Sequence, residues 1–253
     1  MNGEPPEVTP AGPPRGSERL RLREFVASDR AALVAMHRIE RVRALLVDDA
    51  PMHHPVVAQD FIARMQRYYR ANEGLGIWCA ERWAAPLSAE ALADPELQSS
   101  LSATALQELA TPAPRFAGWF NLMRMPGDSD AVEIGCRLLP TDWGTRLVFE
   151  GGRQLLDHAF DRLQQPRVFG VCHPAHRSVH QVLRALGYRS LGERDYDGAP
   201  ASWFVIEPEA WQATRERPLR TRLRAASAPV IVNRKSRNGP LQPLPRPPSG
   251  AQP

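Results

Sequence analysis

Lysine is nearly missing from this chain: Lys235 stands alone among 32 basic residues in 253, so arginine carries the positive charge. Cysteine is scarce too. Cys79, Cys136 and Cys172 make an odd count, which argues against a disulfide framework and for a reducing compartment. No stretch approaches the roughly 20 apolar residues of a membrane-spanning helix. The opening MNGEPPEVTPAGPP lacks the basic start and apolar run of a secretory leader. A soluble, cytoplasmic protein without membrane contact is expected. The sequence also has no dinucleotide glycine fingerprint and no Ser–His–Asp motif. His53 and His54 point apart in extended chain, and His173, His176 and His180 lack a matching Cys or carboxylate set, so no metal is expected.

What is present suffices for one core, at 43% hydrophobic residues. Charge is unevenly spread. Residues 213–253 hold nine basic residues and one acid, a net +8, so the overall +4 leaves residues 1–212 at −4. Residues 1–16 and the stretch from about 226 are rich in proline and poor in core formers, and are expected to be disordered. Arginines in 213–253 suit weak polyanion contact. The plainer alternative is a solvated tail, since aromatics for base stacking are missing there.

Between the tails the pattern predicts one domain, 17–212. RLRLREF (19–25) alternates as a strand. Ser28 and Asp29 open a helix through about 45, and VDDAPMHHP leads to a second helix over 56–72. GIWCAERW (76–83) reads as a strand. RFAGWFNLMRM (115–125) and AVEIGCRLL (131–139) read as a hairpin across PGDSD. Residues 84–114 form an insertion, a surface flap or a lid, with helical stretches near 88–93 and 103–109. A helix over 144–163, a strand over 167–173 and a helix over 176–186 stopped by Gly187 follow. Two strands, 188–195 and 202–207, close the domain, and 213–225 can extend a helix from Trp211. Strands alternating with helices predict an α/β fold whose central sheet of about seven strands is mixed because of the hairpin.

Three segments, in order, resemble the GNAT N-acetyltransferases, especially their ribosomal-protein branch. They are SERLRLREFVASD from Ser17, EIGCRLLPTDWG, and PAHRSVHQVLRALGY. The resemblance implies a GNAT-like single domain that takes acetyl-CoA as co-substrate. It assigns Leu138 and Leu139 to the pantetheine, and Gly144, Thr145, Arg146 and Leu147 to the pyrophosphate, with His176 beside the cofactor. Backbone amides and the helix dipole hold phosphate without a particular side chain, so the assignment is physically reasonable. The turn departs from the family pattern: arginine replaces the second glycine at 146, and Val148 replaces a small residue. Arg146 either contacts phosphate through its guanidinium or fills the phosphate space.

The implied reaction is direct attack of a primary amine, on a small molecule or a protein N-terminus, on the acetyl thioester. A lysine-like ammonium has a pKa near 10.4 and must first lose a proton. Glu133 is the candidate base; its plainer reading is a surface glutamate paired with a residue such as Arg137. Strand alternation puts Val132, Ile134, Cys136 and Leu138 on one face and Glu133, Gly135 and Arg137 on the other. Cys136 and Cys172 read as small core residues. Leu183 occupies the place where some relatives carry a catalytic tyrosine, and Tyr188 reads as core. Asp48 and Asp49 are the candidate acceptor-binding acids, a pair that attracts a cationic amine. A non-catalytic module of the same fold is the alternative function, and a homodimer is the assembly the resemblance implies.

Overall fold

A computed structural model describes residues 12–14, 16–17, 19–47, 50–84, 87–125 and 128–227. Seven strands form one mixed sheet in the order β1-β2-β3-β4-β5-β7-β6. They are β1 Leu20–Arg23, β2 Gly76–Arg82, β3 Arg115–Met125, β4 Asp128–Leu138, β5 Val168–Cys172, β6 Arg189–Tyr196 and β7 Ala199–Ile206. The helices are α1 Arg30–His37, α2 Glu40–Arg43, α3 Pro55–Ala71, α4 Ala89–Leu92, α5 Pro95–Ser100, α6 Ala103–Ala110, α7 Leu147–Asp157, α8 Arg177–Ala185, α9 Pro208–Arg215 and α10 Leu219–Ala226. The chain divides into two compact units, 1–42 with 50–120 and 136–154, and 43–49 with 121–135 and 155–253.

In the first unit β1 lies antiparallel to β2, from Leu20↔Arg82 to Arg23↔Cys79. The expected first helix is broken. A 3-10 turn at Ala27–Asp29 precedes α1, and α2 begins only at Glu40. Asp29 holds the entry: its carboxylate accepts from the Val26 amide at 2.9 Å and from both terminal nitrogens of Arg23. Phe25, Phe61 and Trp119 pack at centroid distances of 5.6–6.4 Å under α1 and α3. The insertion carries a third helix, α5, where two helices were expected, and none of α4–α6 buries a residue.

Gly118 and Gly151 have steric causes. Gly118 sits at φ +131°, and a Cβ there would meet Leu138 Cα at 2.8 Å and collide with the Arg137 carbonyl. Gly151 lies where α7 passes over buried Phe120, and a Cβ would stand 2.7 Å from the ring's Cδ1. The glycine's helix cost of about 1 kcal/mol is the condition for that close packing.

The second unit holds β4 parallel to β5 from Val132↔Val168 to Ile134↔Gly170. β5 then pairs antiparallel with β7 over five residues, and β7 with β6. Met125, Ala131, Phe169, Ala201, Trp203 and Val205 form the core of one face. Gly187, at φ +100°, ends α8 as expected: its amide bonds to Arg184 O at 3.0 Å and that of Tyr188 to Leu183 O at 3.0 Å, a Schellman closure. Past the last strand, buried Trp211 donates from Nε1 to Asp157 Oδ1 at 2.9 Å. Residues 213–226 thus continue structured chain, with α10 packed on α8. No helix among the described residues is long and apolar enough to cross a membrane.

Candidate functional site

The first unit gathers Leu138, Leu139, Gly144, Thr145, Arg146 and Leu147 at the end of β4 and the start of α7. The helix was expected from 144 but starts at Leu147, because Gly144 (φ 76°) and Arg146 (φ 67°) are both left-handed. Glycine adopts that conformation readily, whereas an L-residue such as arginine does so at a cost of about 1–2 kcal/mol. Arg146 therefore holds a backbone conformation that glycine favours. Its carbonyl accepts from Phe149 N at 3.0 Å and Glu150 N at 3.3 Å, which starts the helix. The amides of Leu147 and Val148 lie in the first turn, where no carbonyl one turn earlier can accept them.

Three donor side chains fix this turn. Thr145 Oγ1 donates to the Asp142 carbonyl at 2.7 Å. Arg19 on the approach to β1 donates to Glu150 and, at 3.4 Å, to the Thr145 carbonyl. Exposed Trp143 donates from Nε1 to Leu138 O at 2.9 Å, with the Arg41 guanidinium 5.1 Å from its ring centroid. Leu139 donates its amide to Ala117 O at 2.9 Å. By the alternation of an antiparallel ladder, Leu138 and Cys136 then direct their backbone groups away from β3. Leu139 is thereby committed to the sheet, while the Leu138 carbonyl takes the Trp143 bond.

Two residues of β4 differ from expectation. Cys136 was read as core and is exposed. Arg137 was read as a surface partner and is buried at 8% exposure. Its guanidinium lies 4.8 Å from the Trp119 ring centroid, and Nη1 lies 3.2 Å from His37 Nε2. His37 Nδ1 lies 2.8 Å from the Leu33 carbonyl, so Nδ1 carries the proton and Nε2 accepts from Arg137. Cation–π attraction and the hydrogen bond compensate the desolvated arginine. Sequence alternation alone could not foresee it.

Glu133 and His176 belong to the second unit. Half-buried Glu133 accepts from the Tyr196 hydroxyl at 3.0 Å. Tyr188 is core, as expected; burial and then the Glu133 charge hold its phenol well above its ordinary pKa of 10.0. His176 is the cap residue before α8, with Nδ1 3.1 Å from Ser178 Oγ. Burial, then His180 and His173, depress its pKa below 6.5. Asp48 and Asp49 lie outside the described residues.

A helix start preceded by two left-handed residues, at the end of a sheet strand, is a cradle for a phosphate group. Residues 19–189 match the model of the acetyltransferase (GNAT) domain. The chain belongs to the GNAT acetyltransferase family. As a GNAT protein it is an N-acetyltransferase, and the fold uses acetyl-CoA. Similar solved structures include Mycobacterium smegmatis RimJ in complex with a CoA-disulfide. It is 16% identical at a TM-score of 0.57, over 86% of this chain and 90% of that one. RimL, a ribosomal alpha-N-protein acetyltransferase with coenzyme A, is 13% identical at 0.57, over 78% and 98%. A ribosomal-protein alanine acetyltransferase from Vibrio fischeri is 13% identical at 0.55, over 78% and 98%. At such identities the likeness carries the GNAT fold. The sequence reading missed Asp142 and Tyr196, whose partners lie 27–63 residues away and leave no local pattern.

Proposed function

We propose that this enzyme moves the acetyl group of acetyl-CoA to a primary amine, with a protein N-terminus as the favoured acceptor class. The observation that carries the reading is the left-handed pair Gly144 and Arg146 at the start of α7. Arg146 there bears two local costs, a strained backbone and a cation at the positive end of a helix dipole, and a bound diphosphate offsets both. In this reading the amides of Gly144, Arg146, Leu147 and Val148 take the diphosphate, with the Arg146 guanidinium and Thr145 beside it. The Leu138 edge takes the pantetheine, and His176 is the further residue this reading assigns to the cofactor.

Acetyl-CoA supplies the thioester carbonyl. Glu133, oriented by Tyr196, accepts the first proton the ammonium must lose; the nitrogen–carbon bond forms, the carbon–sulfur bond breaks, and the nitrogen's second proton passes to the departing thiolate, which leaves as the thiol. Asp48 and Asp49 draw the cationic acceptor. RimL, whose name gives an alpha-N-protein activity, and the ribosomal-protein alanine acetyltransferase support an N-terminal acceptor, to be sought among peptides beginning with alanine.

Calorimetric titration with acetyl-CoA, beside an Arg146→Glu variant, tests the site. Micromolar binding that the variant loses is expected. A folded wild-type protein that does not bind acetyl-CoA would refute the transferase reading and favour a binding module of the same fold.

A further inference from the structure

Asp142 occupies the 3-10 turn Pro140–Asp142, between β4 and the left-handed pair, and its side chain has 0% exposure. Arg115 donates to it twice, Nη1 to Oδ2 at 2.9 Å and Nη2 to Oδ1 at 2.7 Å. Arg82 Nη1 adds a bond to Oδ1 at 2.8 Å, and Thr141 Oγ1 one to Oδ2 at 3.3 Å. The backbone of the same residue is bonded to the turn. Its carbonyl accepts from Thr145 Oγ1 at 2.7 Å and from Thr145 N at 3.4 Å. Side chain and main chain together link two strands to the residue between Gly144 and Arg146.

The identity of the two arginines adds a second observation. Arg82 is the last residue of β2 and Arg115 the first of β3, so the whole insertion hangs between them. The insertion closes its own neck, with Leu87 N bonded to Leu109 O at 2.9 Å, and its helices bury nothing. Both of its roots therefore meet on one carboxylate, and that carboxylate's residue carries the turn. A buried ion pair is weak evidence for stability, because an apolar replacement of equal volume often serves as well. Holding one backbone geometry explains its presence better.

We propose that Asp142 is a positioning residue: it fixes the left-handed turn against β2 and β3 and ties that turn to both roots of the insertion. The inference rests on the reading of this turn as the diphosphate site. It predicts that loss of the carboxylate loosens the turn and the insertion together.

The test uses full-length wild-type protein, Asp142→Asn and Arg115→Gln, with coenzyme A as the probe in calorimetry and hydrogen exchange followed peptide by peptide. The Asn variant should bind coenzyme A about tenfold more weakly. Without ligand, peptides covering 143–150 and 84–114 should exchange faster than in wild type, while peptides covering α8 keep their protection. Should Asp142→Asn fail to fold, Arg115→Gln leaves the Arg82 bond in place and is expected to show the same pattern. A folded variant that binds within twofold of wild type, with unchanged exchange at 143–150, overturns the proposal. Absence of coenzyme A binding by wild type overturns the reading of the turn itself, a result separable from failure of the variants alone.

Discussion

Replacing Arg146 with glycine should move stability and affinity in opposite directions. At φ 67° the arginine backbone is strained by about 1–2 kcal/mol relative to its relaxed form. Glycine removes that strain but adds unfolded-chain entropy worth about 0.5–1 kcal/mol. The exposed side chain gives up little packing. The net is a gain of about 0.5–1 kcal/mol, or a rise in Tm of about 2 °C for a domain of this size. The guanidinium contact with the diphosphate is lost at the same time. A charge-assisted bond at an exposed site is worth about 1.5 kcal/mol, so affinity for acetyl-CoA should fall about tenfold. Thermal unfolding by circular dichroism and calorimetric titration read the two effects separately. A glycine variant less stable than wild type would refute the strain argument; unchanged or tighter binding would show that Arg146 makes no contact with phosphate.

Two further outcomes follow from packing and titration. Gly151→Ala should destabilise by about 1–3 kcal/mol despite alanine's better helix propensity, because the added methyl drives into buried Phe120; denaturant midpoints check the sign. His176 is depressed below 6.5 in the fold, so the unfolded chain binds its proton more readily. Its contribution to stability is present above that pH and is lost as pH falls through it. Urea midpoints at pH 8 and pH 5.5 should therefore converge in His176→Asn relative to wild type, and an identical pH dependence would refute that role.

The hairpin of β3 and β4 and the α8 stop at Gly187 were legible because each depends on near neighbours: alternation, turn residues, a glycine at a helix end; the starts of β4 at Asp128 and β7 at Ala199 were not, each lying three residues before the expected 131 and 202. The break between α1 and α2 and the late start of α7 were not. The first has no propensity signal, and the second arises from a left-handed arginine, which no residue type announces. Gly151 has no rationale in the helix pattern, where glycine is unfavourable; Phe120 beneath it supplies one. Arg137 looked solvent-directed because charge normally is; Trp119 and His37 supply the environment that inverts the rule. The turn residues at 144–147 were found through family resemblance. The Asp142 linkage was invisible because β2, β3 and the turn come together only through the sheet order.

The placement of β7 sets where this protein can be cut. The family match ends at residue 189, the first residue of β6, yet β7 lies between β5 and β6 and supplies Trp203 and Val205 to the core of its unit. A fragment trimmed to the matched stretch would leave the Val168–Cys172 ladder without its antiparallel neighbour. It would offer an apolar strand rim to other copies, an invitation to aggregation. For expression or fusion, the natural seam falls after α10, which packs on α8, beyond the point where Trp211 and Arg215 are tied to Asp157.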